Sequence, residues 1–265
     1  MPSIVNRWRE DDSVGSGPGG LLQVGRTAVR DLGLRRALAV LGRKLWRKLR
    51  HDRPPNTVEG NLEVWETHDW SQACEEWTVS PEWKEAILDE LLRAHLPARG
   101  RIVEIGPGAG RWTEHLIPIA SHLTLVDLTP ACIALCRKRF ASERNIEYHV
   151  NDGRSLPFVT DGSVDGIWSF DTFVHIAPPE VRAYMAEFAR VMAPGAVGVI
   201  HHARSGSHRR SWRSDMTAER MADFCREFVL DVVRQQESLR DGAISLCRLE
   251  THFAADVATV FRRPG

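Results

Sequence analysis

From residue 84 to the C-terminus, short apolar runs alternate with longer stretches in which apolar residues recur every three or four positions. The runs predict strands at 101–105, 123–127, 146–150, 165–170, 197–202, 230–236 and 256–262. The periodic stretches predict helices near 110–121, 130–142 and 179–192, and Thr217 caps a further one to about Phe228. Ser80 and Pro81 read as N-cap and first residue of a helix running to about His95. Such alternation implies an α/β fold: a doubly wound, mostly parallel, seven-stranded sheet of the Rossmann-like kind.

Upstream the pattern changes. Leu34, Leu38, Leu41, Leu45 and Leu49 share one face of a basic helix expected at 26–50, and Pro54 and Pro55 end it. That face would dock on the core, on a second copy in a homodimer, or on an acidic membrane surface. The glycine-rich stretch 10–20 reads as mobile. Three segments follow: a basic helical extension at 1–55, a Trp-rich lid or substrate wall at 56–83, and a main domain at 84–265.

Charge sharpens this division. Basic and acidic residues number 35 each, but residues 1–53 hold 12 of the basic and 5 of the acidic ones, leaving 23 and 30 elsewhere. An acidic body argues against a nucleic-acid surface and for a small-molecule substrate. There is no apolar run long enough for a membrane span and no signal core, so a cytoplasmic location is expected. The five cysteines lack zinc-site spacing and read as buried thiols.

The chemistry concentrates at strand ends. In "VEIGPGAGRW" (103–112), Gly106, Gly108 and Gly110 follow a strand and precede a helix, where an open sheet binds ligands. A dinucleotide fingerprint needs Gly or Ala three residues after its second glycine; Arg111 stands there instead. Glu104 lies two before the first glycine, and helix-start amides beside a carboxylate suit a zwitterionic amino acid. Asp127 ends the second strand, where a carboxylate accepts from both ribose hydroxyls. Asn151 and Asp152 follow the third, where an adenine amino group is read.

With "LTLVDLTP", "NDGRSLPFVTDGSVDGIWSF" and "ARVMAPGAVGVIHHA" in the same order, the chain resembles the class I S-adenosylmethionine-dependent methyltransferases over about 84–265. The resemblance implies S-adenosylmethionine as cofactor, its methionine part on Gly106, Gly108 and Gly110, its ribose on Asp127 and its adenine on Asp152. Glu104, Leu128, Asn151, Gly153 and Phe170 complete that expected site.

Strands four and five end in "WSFDTFVHI" and "VIHHARSG" and present Asp171, His175, His201 and His202. Neighbouring strands would bring these four to one cleft, where a histidine base helps a hydroxyl lose its proton. Asp171, His201 and His202 are also a metal-ligand set, but magnesium prefers oxygen ligands, so no metal is assigned. Trp70, Trp77 and Trp212 offer flat faces for a sugar or ring, and Arg213 a guanidinium for an acidic group. The expected reaction is O-methylation of a small molecule, a sugar or glycoside among the acceptors. The alternatives are an N- or lipid methyltransferase and an idle, cofactor-binding interaction module.

Overall fold

The computed structural model describes residues 56–204, 213–247 and 256–265. The basic helix expected at 26–50 and Trp212 lie outside the described residues. Of those described, Glu59–Asp69 belong to one compact unit, and Asn56–Val58 with Trp70–Gly265 to another. In the smaller unit most of helix α1 (Val58–Trp65) is followed by Thr67, whose hydroxyl donates to the Glu63 and Val64 carbonyls.

In the larger unit a 3-10 turn, Glu75–Trp77, precedes α2 (Pro81–Ile87). Ser80 Oγ accepts the Trp83 amide at 3.1 Å and Pro81 occupies the first turn, where its missing N–H costs nothing. The helix continues as a wider π-helical stretch, Leu88–Arg93, that buries Leu88, Leu91 and Leu92. Then follow β1 (Gly100–Ile105), α3 (Thr113–Leu116), β2 (Ala120–Asp127), α4 (Pro130–Arg139) and β3 (Ile146–Val150). After these come β4 (Val164–Phe173), α5 (Pro178–Val191), β5 (Met192–Ala203), α6 (Ala218–Glu227) and β6 (Asp231–Gln236). A short pair, β7 (Ser238–Leu239) and β8 (Ile244–Ser245), precedes β9 (Asp256–Arg262).

The main sheet has seven strands in the order β3-β2-β1-β4-β5-β9-β6. Pairing is parallel from β3 to β5, and β9 runs antiparallel to β5 and β6. Successive strand residues face opposite ways, so Leu125 and Trp168 join one apolar layer while Val126 and Ile167 join the other. The chain leaves β1 toward β2 on one side and later enters β4 on the other. The crevice at the carboxyl ends of β1 and β4 is therefore the topological switch point.

The structure departs from the sequence pattern at two elements and adds a third. The helix expected at 110–121 contracts to α3, because the chain is already extended at Ala120, which pairs with Gly100. The fifth strand starts at Met192, opposite Val164, and the Pro194–Gly195 irregularity interrupts the register rather than the strand. The β7–β8 pair is too short to leave a periodic signal.

Candidate active site

The glycine turn after β1 is closely packed. Gly106, Gly108 and Gly110 have φ of 71°, 56° and 91°, a region that disfavours any Cβ. A Cβ on Gly106 would stand 2.3 Å from Thr172 Oγ1, so the turn approaches the end of β4 as only glycine allows. The turn's amides are already engaged. Gly106 donates to the Val126 carbonyl (2.7 Å), Gly108 to Asp127 Oδ2 (3.3 Å), Ala109 to Cys74 Sγ (3.1 Å) and Gly110 to the Pro107 carbonyl (2.9 Å). Burial pushes the Cys74 thiol up to about 12, so it serves here as an acceptor and not as a thiolate.

Two buried acids flank the turn. Glu104 accepts from Thr113 Oγ1 at 2.7 Å, and burial pushes it up to about 8 despite that bond. Asp127 Oδ1 accepts the Thr129 amide (2.8 Å) and hydroxyl (2.6 Å); burial still holds its carboxyl above the usual range.

The end of β4 is irregular. The β4–β5 register shifts between Ser169 and Phe173, and within this bulge Asp171 takes a left-handed φ of 64°. Bulges re-aim side chains, and this one points Asp171 at two cationic or ionisable neighbours. Arg111 pairs with Asp171 Oδ2, and His201 Nδ1 lies 3.2 Å from Oδ1 and 3.2 Å from the Asp171 amide. A proton on Nδ1 serves the carboxylate; a bare Nδ1 accepts the amide. Burial alone would raise the Asp171 carboxyl, but Arg111 and His201 outweigh it and hold Asp171 well below the usual carboxylate range. On the far side, His201 Nε2 is 3.8 Å from Asp256 Oδ2, and Arg213 holds Asp256 through two bonds of 2.9 and 2.8 Å.

Several buried nitrogens in this cluster have no hydrogen-bond partner among the described residues: Arg111 Nε and Nη1, and His201 Nε2. Arg111 is 2% exposed and His201 1%. Leaving a buried polar group unpaired costs about 1–3 kcal/mol, so this cluster carries strain that the glycine turn does not.

The expected site residues divide accordingly. Asp171 and His201 come together. His202 does not join them: it is fully buried, and its Nδ1 and Nε2 lie 2.7 Å from the Ala203 carbonyl and from Thr259 Oγ1. Burial lowers it to about 4, so it is a neutral tie between β5 and β9. The Asp-His-His metal set thereby loses a member, and no cluster of metal-binding side chains occurs among the described residues. The His175 main chain closes the turn after β4, with its amide on the Thr172 carbonyl (3.0 Å) and its carbonyl accepting from Asn56 Nδ2 (3.2 Å).

Phe170 also departs from expectation. It is buried, stacks on His201 at 4.1 Å and packs against Trp83, Trp112 and Trp168, so it seats the histidine rather than lining a ligand wall. Arg213 is committed to Asp256 and is not free to receive an acidic group. Trp70 meets Trp77 edge-on at 5.8 Å, and its ring lies 3.0 Å from the point a Gly108 Cβ would occupy, which places it over the glycine turn. Asn151 holds the loop after β3, donating to Tyr184 Oη (2.8 Å) and the Ser155 carbonyl (3.1 Å) and accepting from Gly153 (3.1 Å). Asp152 caps the same loop through the Arg154 and Ser155 amides, which lower its carboxyl against the effect of burial. Leu128 lies beside Gly153, whose φ is 80°. Arg111, Cys74 and Asp256 were not expected here. Only Arg111 gave a signal, as a bulky cation directly after the third glycine.

Residues 102–195 match the family described as a methyltransferase domain. The chain is similar to ribosomal RNA small subunit methyltransferase A of Pseudomonas fluorescens, 33% identical over 81 residues that cover 30% of each chain. It is similar to nodulation protein S of Rhizobium tropici, 28% identical over 133 residues, 50% of this chain and 55% of that one. The chain thus spans 30% and 55% of these curated relatives. The solved structure of the N-methyltransferase NodS from Bradyrhizobium japonicum WM9 with S-adenosyl-L-homocysteine shares the fold. Its TM-score is 0.57 at 20% identity, covering 78% of this chain and 97% of that one.

Proposed function

We propose, from the premise that the chain belongs to the class I S-adenosylmethionine-dependent methyltransferase superfamily, that it methylates a hydroxyl of a small molecule with His201 as general base. The donor supplies a methyl group on a sulfonium, whose transfer is an in-line displacement. The residues present fit such a donor: a left-handed glycine turn at the switch point, a buried acid at the end of β2, and unspent guanidinium N–H groups between them. Gly106, Gly108 and Gly110 would shape the aminoacyl end of the site, Asp127 would take the ribose, and Asp152 the adenine.

One observation carries the base assignment: a buried imidazole with a carboxylate at Nδ1 and nothing bonded at Nε2 among the described residues. With Nδ1–H on Asp171 the ring is oriented, and Nε2 is the nitrogen left to accept a proton from the acceptor. The Phe170 face fixes the ring plane, and the aromatic cluster below it excludes water. The acidic balance beyond residue 53 supports a small molecule over a nucleic acid.

A second reading, methyl transfer to an amine, is supported by the likeness to NodS and by Asp171, which stays ionised and would pair with an ammonium. A labelled-methyl screen of a metabolite pool, followed by mass spectrometry of the product, separates the readings. An O-methyl product that disappears with His201→Ala supports the proposal. An N-methyl product selects the second reading. Binding of S-adenosylhomocysteine without any labelled product selects an interaction module.

A further inference from the structure

The turn after β1 has two sides. Gly106 faces Thr172 at the end of β4, whereas Gly110 faces Phe140 and Arg139, and the Gly108 carbonyl accepts from Cys136 on α4. On this α4 side, away from the cleft at β4, lies a cavity of about 280 Å³. Trp70 and Ala73 line it from the segment before α2, Ala109 from the turn, and Leu135, Lys138 and Arg139 from α4. The last three stand at helical spacings of three and four, so α4 presents them on one face.

The lining joins apolar and cationic groups. Leu135 is a large apolar side chain left 37% exposed, and it shares the lining with the Trp70 indole and two alanines. The two cations differ in what already occupies them. Arg139 donates to the Ala109 carbonyl (2.9 Å) and to Glu114 (2.5 Å), which commits it to holding the turn against α4. Lys138 has no hydrogen bond or ion pair among the described residues. The nearby acids do not neutralise it. Glu114 is shared by Arg139 and Lys84, and Glu75 accepts from Lys84 (2.6 Å) and Thr78 (2.7 Å). The volume falls just below the range usual for drug-sized ligands, which leaves room for one or two fused rings. An indole suits the face of such a ring, and an unpaired ammonium suits an acid.

We propose that this cavity binds a small aromatic carboxylate, its ring against Trp70 and Leu135 and its acid on Lys138. The site stands apart from the methyl-transfer cleft and does not depend on that reading. Ala109 belongs to the glycine turn and Trp70 lies over Gly108, so an occupant touches the turn from behind without entering the cleft.

The test is calorimetry on the full chain with naphthoate and naphthylmethanol, which share a ring system and differ in the acid. The unaltered protein should bind naphthoate one-to-one and about two- to five-fold more tightly than the alcohol, the scale of an exposed ion pair. Lys138→Ala should erase that preference and leave the affinity for the alcohol unchanged. Leu135→Ala should weaken both probes by about three- to ten-fold and keep the preference. Both side chains are exposed, so neither substitution threatens the fold. S-adenosylhomocysteine should not displace naphthoate. The assignment is overturned by no binding of naphthoate, by equal affinity for the two probes, or by a preference that survives Lys138→Ala. Binding indifferent to Leu135→Ala, or displacement by S-adenosylhomocysteine, puts the probe elsewhere and overturns it as well.

Discussion

The turn after β1 and the end of β4 lie side by side at one switch point, yet their polar groups are in opposite states. In the turn, the four amides from Gly106 to Gly110 have partners and the glycines are locked against Thr172 and Cys74. At the end of β4, Arg111 and His201 are buried with nitrogens unpaired among the described residues, and Asp171 sits in a left-handed backbone conformation. The first region is finished as architecture. The second keeps strain that a substrate or cofactor would relieve, the pattern expected where chemistry is done.

Substitutions separate the two regions. The largest effect should come from Gly106→Ala, which forces a Cβ to 2.3 Å from Thr172 Oγ1 at φ 71°. A loss of about 3 kcal/mol or more is expected by chemical denaturation, with donor binding abolished. Asp171→Asn should follow. Breaking a buried ion pair costs about 3–5 kcal/mol, and solvent access to Asp171, whose side chain is 27% exposed, brings the expected loss to about 2 kcal/mol.

The adjacent histidines give the sharpest contrast. His201→Ala should lower kcat by about a hundred-fold or more, the scale of a lost general base, while the fold survives. His202→Ala should do the reverse: kcat within about three-fold, and a stability loss of about 1–3 kcal/mol from the orphaned Thr259 and Ala203 groups. A large kcat loss in His202→Ala would dissolve the distinction between the two faces of β5.

The last prediction concerns pH and is read as a slope. Glu104 holds its proton in the folded state up to about pH 8, whereas in the unfolded chain it ionises near its ordinary value of 4.5. Between these limits the folded state binds more protons, so stability falls as pH rises through the window, by at most about 1.4 kcal/mol per pH unit. Glu104→Gln should flatten this slope in thermal melts from pH 5 to pH 8.

Much of the architecture was legible because strand and helix periods are written in the spacing of apolar residues. All seven main strands fall where those runs lie. The glycine turn and Asp127 were legible for the same reason: each sits where an apolar strand ends. What the sequence concealed was direction. His201 and His202 are neighbours in the chain, but the period-two alternation of a strand sends one to Phe170 and the other to Thr259. The roles of Asp256 and Arg213 depend on β9 running antiparallel beside β5, a contact 43 residues apart that no local pattern announces. Trp83, Trp112 and Trp168 pack around Phe170 beneath His201, because an indole satisfies a core as readily as a ligand site.

A methyl-donor site here requires the turn after β1 and the acid ending β2 to grip one aminoacyl nucleoside. Calorimetric titration of the full chain with S-adenosylhomocysteine addresses it directly, with Asp127→Asn as the comparison. One-to-one binding, weakened at least about ten-fold by Asp127→Asn, is the predicted result. No measurable binding, or equal affinity in the two proteins, would contradict it.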